Sequence, residues 1–99
     1  MLILNILIAY DVNTETVEGQ KRLRRVAKAC TEYCQRVQKS LFECYINAEQ
    51  FEKLEHLLIN IIDNKKDSLR IYLLYGARER FVRVYGIDRY IDFEKPLIL

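Results

Sequence analysis

The sequence predicts an α+β domain in which two helices cover one face of a four-stranded antiparallel sheet. Apolar runs of strand length alternate with two segments of helical periodicity, in the order strand–helix–strand–strand–helix–strand. No linker, repeat or low-complexity tract divides the 99 residues, so we expect one domain. This βαββαβ order is the ferredoxin-like arrangement.

The first strand is predicted over Leu2–Tyr10, which is apolar on both of its alternating faces. A polar turn over Asp11–Glu18 leads into a helix over Gly19–Cys34 with a single apolar stripe. Arg22 and Arg25 stand near the start of this helix, where the helix dipole disfavours each cation by ~0.3–1 kcal/mol. Their position indicates an anion as their partner.

The segment Arg36–Ile46 is predicted to form a hairpin that turns near Lys39–Ser40, and one long strand is the less favoured alternative. Asn47 is an N-cap and Gln50 completes a capping box for the second helix. We expect this helix to end around Asp63–Lys66, where Asn64 could take the left-handed cap. The apolar residues expected to be buried on it are Phe51, Leu54, Leu57, Leu58, Ile61 and Ile62.

Two more strands are predicted, over Ser68–Tyr75 and Arg80–Gly86. The predicted domain therefore spans residues 1–86 and carries an extra C-terminal edge strand, and residues 87–99 form a tail for partner docking. Two helices cover only one face of such a sheet, whereas the first strand is apolar on both. A second copy is the simplest cover for the other face, so we expect a sheet-to-sheet homodimer.

The charge of the chain is uneven, although its net charge is only +2. Between Gly19 and Lys39, seven basic residues stand against a single acidic one, Glu32. This segment suggests a surface that faces a polyanion such as nucleic acid, and a solvated helix face is an equally weighted alternative. The basic residues are Lys21, Arg22, Arg24, Arg25, Lys28, Arg36 and Lys39.

The apolar start of the chain is too short for a membrane span and lacks the basic flank of a signal peptide. We therefore expect a cytoplasmic protein that does not contact membranes. The three cysteines have no metal-ligand spacing, so they are expected to be reduced and mostly buried.

Asp11 is the strongest candidate for a metal-binding or catalytic residue, because it directly follows the end of the apolar strand. A turn or capping aspartate is the simpler interpretation of its position. One carboxylate makes a poor metal site, but two copies of Asp11 facing each other across a dimer axis could share Mg²⁺ or Mn²⁺. Such a metal would polarise a phosphate and activate water for phosphodiester hydrolysis. Tyr10 adjoins Asp11 and is the second candidate catalytic residue.

Four segments together resemble the second family of CRISPR-associated proteins, the small subunit of the spacer-acquisition complex. They are ILIAYDV at Ile6–Val12, KRLRRVAKAC at Lys21–Cys30, RVQKSLFEC at Arg36–Cys44 and DSLRIYLL at Asp67–Leu74. The closing PLIL is also similar to the tail of the family. One departure is Cys34, where many members have glycine, so the exit from the first helix should need no positive φ.

The resemblance implies a ferredoxin-like homodimer with Asp11 of each chain at a divalent metal. It implies a metal-dependent endonuclease on single-stranded RNA or double-stranded DNA, and a structural bridge for the CRISPR integrase, the first family of these proteins. By motif position it assigns substrate handling to Tyr10, Arg22, Arg25, Arg36, Ser40 and Phe42. Lys39 joins the nucleic-acid-binding set because it belongs to the basic segment.

Three other functions fit the same sequence. The protein could be a purely architectural DNA-binding dimer without nuclease activity, or a toxin-like messenger ribonuclease, since toxin ribonucleases share this fold. A small-ligand sensor is the third, and the basic segment argues against it.

Overall fold

The computed structural model describes residues 2–91, which form one four-stranded antiparallel sheet with two helices on one face. The strands lie in the order β2-β3-β1-β4. The ferredoxin-like βαββαβ prediction is therefore confirmed. The elements are β1 (Ile3–Asp11), α1 (Val17–Tyr33), β2 (Gln35–Gln38), β3 (Leu41–Asn47), α2 (Ala48–Ile61) and β4 (Ser68–Leu74).

The core lies between the sheet and the helices. Alternate residues of β1 and β3 point into it, and Ile6, Ile8 and Phe42 are almost fully buried there. The helices contribute Val26, Cys30, Leu54 and Leu58. The expected burial of Leu57 is wrong, because this residue falls at the margin of the apolar stripe of α2 and its side chain is 44% exposed.

A close approach between α1 and the preceding loop fixes the start of that helix. Thr16 is the N-cap, and its hydroxyl accepts a hydrogen bond from the backbone N–H of Gly19 at 3.1 Å. A Cβ on Gly19 would lie 1.9 Å from the carbonyl oxygen of Asn13, so only glycine fits. The helix ends at Cys34 in extended backbone with φ −134°, as the cysteine in place of glycine predicts.

The predicted capping box of α2 is confirmed. The Asn47 side chain accepts from the Gln50 backbone at 2.8 Å, and the Gln50 side chain accepts from the Asn47 backbone at 3.1 Å. The left-handed cap at Asn64 is wrong, since Ile62 ends the helix in extended backbone and no non-glycine residue among 2–91 has positive φ. The side chain of Asp67 instead closes the turn by accepting from the Asp63 backbone at 2.8 Å.

The expectation that all three cysteines are reduced is wrong, because Cys34 and Cys44 form a disulfide. The β2–β3 register pairs Gln35 with Glu43, which brings the neighbouring Cys34 opposite Cys44 with their Cα atoms 4.3 Å apart. Cys30 is free and buried in the core. Burial raises the pKa of its thiol to about 12, so Cys30 stays protonated and is not a nucleophile.

The predicted extra strand over Arg80–Gly86 is wrong for the described part of the chain. Residues Arg78–Arg80 form one turn of 3₁₀ helix, and no strand follows up to residue 91. Gly76, with φ +113°, turns the chain after β4, and Asn5 on β1 donates a hydrogen bond to its carbonyl at 3.0 Å. Arg78 then pairs with Glu43 on β3, so the chain crosses towards β3 instead of returning along β4.

The tail predicted over 87–99 is described only as far as residue 91. At that point the Gln35 side-chain amide accepts a hydrogen bond from the Ile91 N–H at 2.8 Å and donates one to the Ile91 carbonyl at 2.7 Å. This two-point contact ties the segment to β2. The rest of the predicted tail, residues 92–99, lies outside the described residues.

The sheet face away from the helices, which we call the open face, carries Asp11 at one end. Besides Asp11 it carries both polar and apolar side chains, and the apolar ones are Ile3, Leu7, Ala9, Leu41, Tyr45, Tyr72 and Leu74. Ile3, Tyr45 and Tyr72 are each 38–49% exposed. A second copy as the cover of this face stays a prediction. None of the helices in residues 2–91 has the length and apolarity to span a membrane.

Candidate functional site

Asp11 is the last residue of β1 and lies at the end of the open face. Its neighbours on the strand, Tyr10 and Val12, point into the core, so the alternation of the strand places the Asp11 side chain on the opposite side, where it is exposed. Its carboxylate forms no hydrogen bond or ion pair with any residue in 2–91. It is not the capping aspartate of the simpler interpretation, because Thr16 caps α1. Its carboxylate therefore remains available for a ligand from outside the chain.

The β2–β3 turn brings Lys39 and Ser40 to the same end of the sheet as Asp11. The Ser40 carbonyl accepts a hydrogen bond from the backbone N–H of Tyr10 at 3.2 Å, which continues the β1–β3 pairing beyond its last register pair, Ala9 with Leu41. Lys39 is exposed there. The structure thus brings together Asp11, Lys39 and Ser40 from separate predicted segments.

Tyr10 does not share a surface with Asp11. It is 6% exposed and packs in the core, with its ring 6.1 Å from that of Phe42. The two adjacent side chains lie on opposite faces of the sheet, so the arrangement gives no support to a catalytic role of Tyr10 beside Asp11. A packing role is what the contacts indicate.

Phe42 is fully buried, so its side chain is not on the surface, and its predicted part in nucleic-acid binding stays a prediction. Its ring instead supports an arginine: the guanidinium carbon of Arg36 lies 5.1 Å from the Phe42 ring centroid. Arg36 is itself exposed and forms no ion pair within residues 2–91, so its N–H groups can reach a phosphate. The contact of Phe42 with this surface therefore runs through the Arg36 side chain.

The anionic partner of Arg22 is a carboxylate of the same chain. Its guanidinium donates two hydrogen bonds to the Asp67 carboxylate, at 2.8 and 3.2 Å, and its side chain is only 14% exposed. The Asp67 side chain is shielded from solvent and also accepts hydrogen bonds from the backbone N–H groups of Asn13, at 3.0 Å, and Asp63, at 2.8 Å. Arg22 is therefore a poor candidate for binding nucleic acid, contrary to its predicted role.

The Asp67 carboxylate links the loops on both sides of Asp11. Asn13 follows Asp11 by two residues, and Asp67 directly precedes Ser68, the register partner of Asp11 on β4. The hydrogen bond from Arg22, and then those from the two backbone groups, lower the pKa of Asp67 to about 2. The charged Asp67 carboxylate thus connects the loops on both sides of Asp11.

Arg25 is exposed on α1, as are three other basic residues of the predicted basic segment, Lys21, Arg24 and Lys28. None of these four forms an ion pair with a described residue. They form a positively charged surface on the first helix, which satisfies the electrostatic requirement for binding a phosphate backbone. The nucleic-acid-binding role of Arg25 stays a prediction.

Several residues that sequence reasoning left without a role also shape the site. In the sequence, Asp67 stands out only as part of the DSLRIYLL segment. The signal for an anionic partner is the position of Arg22 and Arg25 near the start of the predicted helix. Glu43 and Arg78 form a second, bidentate ion pair, with the guanidinium carbon of Arg78 3.6 Å from the Tyr90 ring centroid. No periodicity in the sequence could have paired residues 35 positions apart.

Comparison with known proteins places this fold among the CRISPR-associated proteins of antiviral defence. A family model described as "CRISPR associated protein Cas2" matches residues 4–80. A relative from Moorella thermoacetica, the "CRISPR-associated endoribonuclease Cas2 1", is 54% identical over 95% of this chain and 98% of its own length. The "CRISPR-associated endonuclease Cas2" of Halalkalibacterium halodurans is 50% identical over 94% of this chain and 97% of its own.

A solved structure agrees with both sequence comparisons. The crystal structure of Streptococcus pyogenes Cas2 at pH 6.5 superimposes with a TM-score of 0.72 and 51% identity, and the match covers 83% of this chain and 99% of that one. The chain belongs to the Cas2 family.

Proposed function

We propose that the protein is a metal-dependent endonuclease of CRISPR spacer acquisition that works as a homodimer. The observation that carries this proposal is the exposed, unpaired Asp11 carboxylate at the end of a sheet face that also exposes Ile3, Tyr45 and Tyr72. The printed names of the relatives, endoribonuclease and endonuclease, support the class of reaction.

The residues fit a divalent metal only if two copies meet. Residues 2–91 contain no group of three or more metal-ligating side chains, so the described part of one chain does not form a metal site around Asp11 by itself. Two open faces in contact would bury their apolar side chains and bring two Asp11 carboxylates together. Mg²⁺ commonly takes one or two carboxylates and fills its remaining positions with water and phosphate oxygens.

In such a dimer each Asp11 would hold the metal, whose contribution is to stabilise charge on the phosphate and to acidify a bound water. Lys39 lies at the same sheet end and would contact the phosphate backbone. Arg36, supported by Phe42, and the exposed cations of α1 would extend this contact along the nucleic acid. None of these side chains is placed to read bases, so we expect recognition by shape and backbone.

The family also suggests a role as a structural bridge for the CRISPR integrase. We propose that the segment after β4 docks that partner, since Tyr85 and Ile87 are more than 80% exposed. In this role the nuclease activity would be dispensable, and binding of duplex DNA would suffice.

The purified protein should cleave at least one of two substrates, a single-stranded RNA or a DNA duplex, in Mg²⁺ or Mn²⁺. The measurement is gel analysis of end-labelled substrate, with a chelator as the control. We expect internal cleavage that the chelator abolishes and that excess Mg²⁺ restores. If the protein binds nucleic acid but does not cleave it in any metal, the proposed nuclease activity is contradicted. The architectural DNA-binding dimer would then be the remaining function. Growth arrest on expression, with cleavage of messenger RNA, would instead favour the toxin-like ribonuclease.

A further inference from the structure

The Asp67 carboxylate connects three segments at the end of the sheet that carries Asp11. Its Oδ1 atom accepts hydrogen bonds from the backbone N–H of Asn13 at 3.0 Å and from the Arg22 guanidinium at 3.2 Å. Its Oδ2 atom accepts from the backbone N–H of Asp63 at 2.8 Å and again from Arg22 at 2.8 Å. Both oxygens are therefore occupied, by donors from the loop after β1, from α1 and from the turn after α2.

The hydrogen bond between Asp67 and Asn13 lies where the pairing of β1 with β4 ends. The last register pair of the two strands is Asp11 with Ser68. Asp67 and Asn13 lie just beyond this pair, one on each side, so their hydrogen bond continues the link between the two segments. The Asp11 side chain forms no hydrogen bond or ion pair within residues 2–91, so the position of its carboxylate depends on the backbone that this link holds.

The same loop is also held by α1. The Asn13 side chain accepts a hydrogen bond from the Glu15 N–H at 2.9 Å, and the Asn13 carbonyl lies where Gly19 leaves no room for a Cβ. Arg22 is on the same helix as Gly19, so α1 holds both the Asn13 carbonyl and the Asp67 carboxylate. Loss of the Asp67 carboxylate would therefore release Asn13 from the β4 side and leave the loop attached to α1 alone.

We propose that Asp67 is a positioning residue that holds the Asp11 carboxylate where two copies can share a divalent metal. The proposal rests on the function proposed above and assigns it a residue that acts through Asp11. The Asp67 side chain is shielded from solvent within one chain, so the dimer does not need to leave it accessible. A shared metal needs both carboxylates in place at once, so a displaced strand end affects both ligands. Groups that orient a metal ligand contribute roughly 10- to 100-fold to metal affinity.

Mn²⁺ binding in the absence of nucleic acid, followed by electron paramagnetic resonance, tests this role without any need for cleavage. We expect Asp67→Ala to raise the Kd for Mn²⁺ about tenfold, while light scattering still shows the oligomeric state of the wild type. The matched control is Leu54→Ala, which opens a cavity in the core beside the middle of α2 and should bind Mn²⁺ like the wild type. Equal Kd values for Asp67→Ala and the wild type would overturn the proposal, and so would an equal rise in both variants.

The double variant Arg22→Ala/Asp67→Ala separates positioning from a merely structural role. It leaves no unpaired charge, so it is less destabilised than the two single losses together, but the Asn13 N–H still lacks its acceptor. We therefore expect its Kd for Mn²⁺ to stay about tenfold above that of the wild type. Recovery of the wild-type Kd would overturn the proposal, because the metal site would then respond only to the stability of the fold.

Asp67→Asn is the milder variant and keeps the experiment decisive if Asp67→Ala does not fold. The amide has the shape of the carboxylate and retains one acceptor oxygen, but its NH₂ group faces the donors that the other oxygen served. We expect faster hydrogen exchange of the Asn13 amide, which reports the contact without any metal, and a higher Kd for Mn²⁺. Unchanged exchange would overturn the proposed role of Asp67.

The two measurements together distinguish failure of this proposal from failure of the proposed function. If the wild type binds no Mn²⁺, the metal-dependent function fails, and the role of Asp67 fails with it. If the wild type binds Mn²⁺ and Asp67→Asn speeds exchange of the Asn13 amide without changing the Kd, only the positioning role fails and the metal site stands. Faster exchange together with weaker Mn²⁺ binding supports both.

Discussion

Asp11→Asn is expected to reduce metal-dependent cleavage by about two to three orders of magnitude while nucleic-acid binding in chelator is retained. Asparagine has nearly the shape of aspartate but no charge, so the strand end should keep its conformation and lose its affinity for a divalent cation. Because Asp11 forms no hydrogen bond or ion pair with residues 2–91, the substitution should leave the free energy of unfolding almost unchanged.

The matched control for this variant is Glu52→Gln, which removes one negative charge from an exposed position on α2. Initial cleavage rates of both variants are compared with the wild type over a Mg²⁺ series. Loss of cleavage in Asp11→Asn alone supports a metal-binding role. Equal rates for Asp11→Asn and the wild type would contradict the assignment of Asp11, even if the protein proved to be a nuclease.

Asp67→Ala is expected to lower the free energy of unfolding by about 3 kcal/mol, because it leaves the partly buried guanidinium of Arg22 without its anion. The substitution also removes the acceptor for two backbone N–H groups, those of Asn13 and Asp63. Denaturant unfolding measures the change. The double variant Arg22→Ala/Asp67→Ala should be less destabilised than the sum of the two single variants, since each single variant leaves one unpaired charge and the double variant leaves none.

The pH dependence of stability gives an independent readout of the same carboxylate. The pKa of Asp67 is lowered from 3.8 to about 2 in the folded chain, so the unfolded chain binds the proton first as the pH falls. The stabilisation is fully present above about pH 4 and is lost as the pH falls towards 2. The difference in stability between the wild type and Asp67→Ala should therefore narrow over that window. A constant difference from pH 6 to pH 2 would contradict the Arg22–Asp67 ion pair.

Local sequence signals predicted most of the fold. Apolar alternation placed β1 and β4, and the Asn47 and Gln50 pair fixed the start of α2, because a capping box satisfies backbone donors within one turn. The hairpin was also predicted, but with Cys34 in the preceding helix, so the prediction did not place Cys34 opposite Cys44. The disulfide follows from the observed register, which pairs Gln35 with Glu43.

The errors concern contacts between residues far apart in the chain. The short strand predicted over Arg80–Gly86 has suitable residues, but Gly76 and the Arg78 contact with Glu43 direct the chain elsewhere. Arg22 and Arg25 were both predicted to face nucleic acid, and only the fold shows that the anion of Arg22 is Asp67, 45 residues away. The periodicity of a sequence describes one helix or strand at a time and cannot predict ion pairs between distant segments.

The central residue of the candidate site, Asp11, was predicted from the sequence, whereas the residues around it were not. Asp11 could be selected because a carboxylate at the end of a strand is displayed on a rigid element. Asp67 and Ser68 could not, since their proximity to Asp11 depends on the β1–β4 register. Phe42 was selected by motif position, and burial changes its interpretation from a contact residue to the support of Arg36.

The stoichiometry of Mn²⁺ bound to the purified protein is the most direct test of a metal shared between two copies. Electron paramagnetic resonance of free Mn²⁺ during a titration counts the bound ions, and light scattering on the same sample gives the oligomeric state. We predict one Mn²⁺ for every two chains, in a dimer, and no binding above background for Asp11→Asn. One Mn²⁺ per chain, or the same binding by a monomer, would contradict the shared site.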